Sequence, residues 1–251
     1  MSGQAVIDEQ LMNSANMNTK TVDIITGYCG KIPSLGDFVS LGLDSSLEQS
    51  WNEWVQAALA VSREKLQGKW LDNYLTSPIW HFAVSGGVCA DRSFAGTLIP
   101  SVDNVGRYYP FTLFYQADLD PLQFWQKQAF FQQNEQQLLT ILDDNCVLLN
   151  WYKKLAPLSL DVTPITSYKQ TLLSPNSHQQ NWLLTAVGEQ TGDIGSDQLG
   201  LLQQTLNQQF NRYSIWWTAG SDKIDPCTLV FSGMPSAATY AGMLDGNWTR
   251  Y

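Results

Sequence analysis

The sequence predicts an α+β fold, a mixed and largely antiparallel sheet packed against helices as an α/β/α sandwich. Three observations lead there. Amphipathic segments of helical spacing and short apolar runs of strand length interleave irregularly, with no internal repeat. Three of the apolar runs, 79–84, 95–100 and 110–115, stand too close together for crossover helices and call for hairpins. Residues 47–66 and 120–142 each place large apolar side chains on one face, as helices that cover a sheet do.

The elements follow in chain order. Residues 1–19 are polar, rich in Asn, Gln and Ser, and read as a disordered tail. A first strand spans 21–28 and runs into a turn with two glycines and a proline at 30–38. Ser45 and Glu48 form an S-x-x-E capping box ahead of the helix over 47–66, where Leu47, Trp51, Val55, Ala58, Leu59 and Leu66 share a face and Gly68 marks the end. A short helix at 70–75 precedes the hairpin block that Pro78 opens. Gly86-Gly87 separates the first two strands of that block, and a polar turn over 101–110 joins the next two. Asp120-Pro121 supplies a cap and a proline at the first helical position, and Phe124, Phe131, Leu138 and Leu142 line one side of the helix to 142.

A weaker helical piece covers 147–155. Residues 157–180, with three prolines and many hydroxyl side chains, read as a long loop or seam. A strand at 182–187, a helix at 198–210 with Leu199, Leu202, Leu206 and Phe210 inward, strands at 213–218 and 228–231, and a helix at 235–244 complete the chain. The organisation expected is a tail at 1–19, a core at 20–155, a linker or loop at 156–180, and a strand and helix segment at 181–251 packed on the same core.

Composition narrows the function. A chain of 251 residues with 44% apolar content can bury a full core. Its net charge of −9, with no basic cluster, argues against nucleic acid and anionic membrane as partners. No apolar run reaches the length of a membrane span. The N-terminus lacks a basic region followed by an apolar one, so no secretory signal is expected and a cytoplasmic location is. Cys29, Cys89, Cys146 and Cys227 are isolated and form no zinc-type pair; free thiols, mostly in apolar runs, are the expectation.

Candidate chemistry concentrates in the two polar turns. The order strand, glycine turn, helix resembles a phosphate loop, but Lys31 comes too early and Asp37 would repel phosphate where it stands, so that reading is rejected. Lys31, Asp37, Asp103 and Arg107 remain as a possible set for acid–base work or for holding an acidic or phosphorylated group. The competing reading has Asp37 and Asp103 capping turns through backbone N–H groups and Arg107 tying loops together. The two turns are expected to lie close together, with Asp37 and Arg107 within pairing reach. His81, in a strand, and His178, in a polar loop, read as structural and solvated; one lone histidine makes neither a metal site nor a triad. Trp216 and Trp217 alternate in a strand, so one ring is core and the other is either covered by a helix or open to a partner.

Several segments together resemble one family. G-K-I-P-S-L-G-D-F at 30–38 is similar to the G-K-[LIV]-P-x-x-G-D-F signature of the TagF (ImpM) family of type VI secretion-associated proteins. The stretches 51–59, 74–82, 96–111, 214–220 and 244–248 resemble further segments of that family in the same order. The resemblance marks Gly30, Lys31, Pro33, Gly36, Asp37, Phe38, Ser101, Asp103, Gly106, Arg107, Pro110, Trp216 and Trp217 as motif residues and candidates for partner binding. It implies a cytoplasmic accessory regulator that represses the secretion system after translation through the forkhead-associated (Fha) scaffold protein. It implies no catalytic residue, cofactor or metal, and no phosphatase domain of the kind fused to some members is expected here.

Overall fold

The computed structural model describes residues 19–155, 158–172, 182–187 and 194–249. His178 and the tail expected at 1–19, its last residue apart, fall outside them. The elements are β1 (Lys20–Gly30), β2 (Val39–Leu41), α1 (Ser45–Leu66), α2 (Trp70–Leu75), β3 (Trp80–Val84), β4 (Phe94–Ile99), β5 (Phe111–Gln116), α3 (Pro121–Trp125), α4 (Gln128–Leu139) and α5 (Leu148–Leu155). Then come β6 (Leu158–Val162), β7 (Ser167–Leu172), β8 (Trp182–Val187), α6 (Ile194–Phe210), β9 (Tyr213–Thr218), β10 (Cys227–Ser232) and α7 (Ala237–Asp245). Two units separate: Asp23–Leu158 with Phe210–Tyr251, and one that contains Ser159–Gln209.

The larger unit carries a sheet in the order β10-β9-β3-β4-β5-β1-β2, every neighbouring pair antiparallel. All residues of β3, β4 and β9 are buried, as they must be when helices cover both faces. On one face α1 and α7 pack against the sheet. Trp51 of α1 is fully buried among Phe82, Phe94, Phe114 and Trp216, with ring centroids 4.6–6.3 Å away, and its indole N–H donates to Thr112 Oγ1 at 3.2 Å. Trp54 of the same helix lies tilted against Trp216, with ring centroids 5.3 Å apart, and donates to the Pro235 carbonyl just ahead of α7. On the other face Phe131 of α4 meets Tyr115 and Trp217, and Trp151 of α5 meets Tyr28 and Phe111. The expected α+β sandwich is the fold observed.

Local details depart from expectation where one polar group outcompetes another. The cap of α1 is Asp44, not Ser45: its carboxylate takes the Leu47 amide at 2.8 Å and the Ser46 hydroxyl at 2.7 Å, and those bonds hold its carboxyl below the usual range. The helix ends at Leu66, with Gln67 at φ +47° rather than Gly68 as its C-cap, and continues into a 3₁₀ turn over Gln67–Lys69. The single helix expected over 120–142 is two, α3 and α4, followed by a 3₁₀ turn at Thr140–Leu142, and Leu142 is only half-buried. Of the cysteines, Cys29 and Cys89 are buried, Cys146 and Cys227 half-buried, and all four are free.

The stretch read as a loop or seam contains β6 and β7. In the smaller unit β7 and β8 form a hairpin. Thr166 donates to Asp197 in the first turn of α6 at 2.8 Å, and Ser196 donates to the Pro164 carbonyl at 2.6 Å. Leu199 and Leu206 of α6 are buried, while Leu202 faces outward, contrary to expectation.

Trp51 joins one helix to four strands, so its loss should be felt across the larger unit. Trp51→Ala is expected to lower stability by about 3–5 kcal/mol, read as a fall in the urea midpoint.

Candidate functional site

The two signature turns meet because of strand pairing. β1 and β5 run antiparallel with Cys29 opposite Thr112, so the turn leaving β1 lies beside the turn entering β5. The approach is close enough to require glycine. Gly30 has φ +136°, and a Cβ there would strike the Pro110 carbonyl oxygen and the Phe111 Cα. Ile32 is fully buried and anchors the first turn, and Leu35 N–H closes it onto the Ile32 carbonyl at 3.2 Å.

Four contacts stitch the turns together. Ser101 Oγ donates to the Lys31 carbonyl at 2.7 Å, and Asn104 N–H donates to the Leu35 carbonyl at 3.1 Å. The Arg107 guanidinium donates to the Gly36 carbonyl. Lys31 Nζ donates to Asp103 Oδ2 at 2.6 Å. Tyr74 of α2 fixes the base of the second turn: its hydroxyl donates to the Ser101 carbonyl at 2.9 Å and accepts from the Ser101 amide at 3.0 Å.

Asp103 is the hub. Its side chain is inaccessible to solvent. Oδ2 also accepts from Arg107 Nε at 2.7 Å, and Oδ1 accepts from the amides of Val105 at 3.1 Å and Arg107 at 2.8 Å. Burial alone would push this carboxyl up. The Lys31 ammonium, the Arg107 amide and guanidinium and the Val105 amide outweigh it and hold the group well below the usual carboxylate range. Gly106, with φ +85°, closes the turn by donating to the Asp103 carbonyl at 3.0 Å.

The turns therefore do lie together, but the charges pair differently from expectation. Arg107 and Lys31 both bind Asp103, and Asp37 is exposed, with no ion pair among the described residues. Asp103 wins because it sits inside the turn, where two backbone amides also point at it. Phe38 packs edge-on against Tyr109 at 5.3 Å, and Tyr109 donates to Asn52 of α1 at 2.6 Å. Pro110 is buried, while Pro33 and Gly36 are half-buried. Trp216 and Trp217 lie away from the turns, both buried, on opposite faces of β9.

His81 has more partners than its strand position alone indicates. Nδ1 lies 2.9 Å from Thr97 Oγ1, and Nε2 lies 2.8 Å from Glu135 Oε1 of α4, beside a cavity of about 490 Å³. Nothing in the sequence links His81 to a carboxylate 54 positions away. Among the described residues no group of His, Cys, Asp and Glu side chains could hold a metal ion, and no helix is long and apolar enough to cross a membrane.

Residues 27–158, just over half of the chain, match the TagF N-terminal domain, type VI secretion system-associated. The fold is similar to the crystal structure of PA0076 from Pseudomonas aeruginosa PAO1, with a TM-score of 0.72 and 27% sequence identity over 88% of this chain and 94% of that one. A search of curated proteins finds no match.

Asp103→Asn keeps the shape of the side chain and removes its charge, leaving two cations facing each other across the turn. Because the folded carboxyl lies below its unfolded value of about 3.9, its stabilisation is complete above that value and lost as pH falls toward the folded one. The variant is expected to be less stable than the unmodified protein at neutral pH, with the gap closing on acidification below about pH 4. Urea unfolding across pH reads this, and a gap independent of pH would refute the hub role of the charge.

Proposed function

We propose that this chain, which belongs to the TagF family of type VI secretion system-associated proteins, is an accessory regulator of that system. In this reading it represses secretion after translation by binding the forkhead-associated (Fha) scaffold protein, and it turns over no substrate.

The observation that carries this reading is the closure of the signature network. A general base needs a lone pair within reach of a substrate proton. Asp103 commits both oxygens to four donors of its own chain. Lys31 is largely buried, Lys31 and Arg107 are both paired with Asp103, which neutralises much of the charge a phosphate clamp would need, and exposed Asp37 would oppose an anion beside them. That weighs against the alternative of a small-molecule or phosphoryl-group enzyme or binder built on Lys31, Asp37, Asp103 and Arg107.

The stitched turns instead display a firm surface. Leu35 is 40% exposed, Phe38 38% and Val105 67%, with the Arg107 side chain beside them 58% exposed. Apolar side chains held outward on a rigid backbone suit burial by a protein partner. The net charge of −9 adds attraction toward a domain that reads phosphothreonine through basic and polar loops.

Purified scaffold, phosphorylated and dephosphorylated, at low and high salt, tests the proposal. Binding is expected, with association slowing as salt rises. Val105→Asp should weaken it roughly tenfold or more without lowering the unfolding temperature. Overproduction in the host should reduce secretion. No binding in any condition together with unchanged secretion removes the proposal. Phosphate release from a phosphothreonine peptide that is lost in Asp103→Asn overturns its non-enzymatic part.

A further inference from the structure

β10 is an outer edge of the sheet and, among the described residues, pairs only with β9. Sheet edges are usually blunted by charge, proline, bulges or cover. β10 carries neither charge nor proline, and its Thr, Val and Phe side chains favour extended backbone. Its side chains alternate. Leu229 and Phe231 pack against the aromatic core, while Thr228, Val230 and Ser232 are exposed on the opposite face.

That opposite face is the one α4 covers further in. Trp217, paired with Thr228, meets Phe131 of α4 at 4.8 Å. Between α4 and the end of β10 a trough of about 490 Å³ opens, with Gln128, Gln132 and Glu135 on its helix side and Cys227 and Thr228 on its strand side. Glu135 is the only carboxylate among the described residues that line it. The buried His81 holds Oε1 of that carboxylate at 2.8 Å, and the Glu135 side chain keeps a quarter of its surface exposed.

We propose that the β10 edge and this trough form a docking site for an extended segment of a partner protein, which adds as a further strand and seats an arginine or lysine side chain against Glu135. The open strand edge offers main-chain hydrogen bonds, and the trough selects a side chain, the two components of strand-addition recognition. Charge decides the occupant. A second copy of this chain pairing edge to edge would bring another uncharged β10, a strand that itself carries no cation for Glu135. A basic side chain supplies the charge-assisted bond that the carboxylate can accept. The site lies on the sheet edge opposite β2 and does not depend on the identity of the scaffold partner.

Random linear peptides displayed on phage and panned against the purified full chain provide the probe. Enriched sequences are expected to alternate β-branched or aromatic residues with other types and to share one lysine or arginine position. Synthetic copies should slow hydrogen exchange of the β10 amides in the unmodified protein. Glu135→Gln, which keeps a hydrogen-bonding partner for His81, should weaken them at least roughly tenfold, and Val230→Lys should do the same at the edge. No enrichment, enrichment without a basic position, or bound peptide that leaves β10 exchange unchanged would overturn the proposal. So would affinity indifferent to Glu135→Gln in a variant that unfolds at the unmodified temperature. A concentration-dependent dimer in sedimentation that Val230→Lys abolishes would assign the edge to a second copy instead.

Discussion

The antiparallel register between β1 and β5 is the constraint on which the signature site depends. With Cys29 opposite Thr112, the chain leaving β1 and the chain entering β5 have no choice but to share space. Lys31 and Asp103, 72 positions apart, become hydrogen-bonding partners only through that register. A solvent-inaccessible carboxylate is costly unless every lone pair is used, and Asp103 meets that requirement with two cationic groups and two amides. Such a cluster contributes little net stability compared with apolar packing. Its effect is geometric: it allows one arrangement of the two turns and penalises others that would strand a charge.

The same register divides the side chains between two helical layers. Thr112 and Phe114 point to Trp51 on one face, and Phe111 and Tyr115 point to Trp151 and Phe131 on the other. A sheet covered on both faces has no solvent to satisfy polar atoms, so several of the buried tryptophans carry their own partners, while the buried indole N–H of Trp217 has no hydrogen-bond partner among the described residues. Trp80 donates to the Met243 carbonyl, Trp216 to the Ser214 hydroxyl, and Trp51 to Thr112. His81 follows the same rule through Thr97 and Glu135. A polar residue in the middle of such a strand is then tolerated because a helix on the covering layer supplies its second partner.

Much of this was legible in the sequence, and the parts that were not share a cause. Helical periodicity placed Trp51, Val55 and Leu59 on the inward face of α1, and the spacing of the apolar runs identified β3, β4 and β5 as hairpin neighbours. Those signals are local. The charge pairing was not local: Asp37 and Asp103 both sit in polar turns, and only the folded turn shows that the amides of Val105 and Arg107 converge on Asp103. Composition misled within 158–172, where prolines and hydroxyls suggested a loop but β6 and β7 form; Pro164 falls between the two strands, where it removes no ladder bond. The pairing of Glu135 with His81 left no trace because residue spacing carries no information about which helix lies over which strand.

The consequence of a closed network lies in what it leaves outside. Ordering a binding loop costs conformational entropy at the moment of association, and a loop already fixed has met that cost in folding. By pinning both turns, Asp103 lets Leu35, Phe38 and Val105 present their apolar surface without a further ordering penalty. The pinning also shapes the field. The chain has 14 basic and 23 acidic residues, and Lys31 and Arg107 both direct their charge at Asp103. Carboxylates left outward, such as Asp37, then weigh more in the potential a partner meets. A single inward-facing carboxylate thus fixes the shape of the surface and pairs two cations, one of which, Arg107, stays exposed beside the apolar side chains, so those side chains are presented next to a largely neutralised charge cluster.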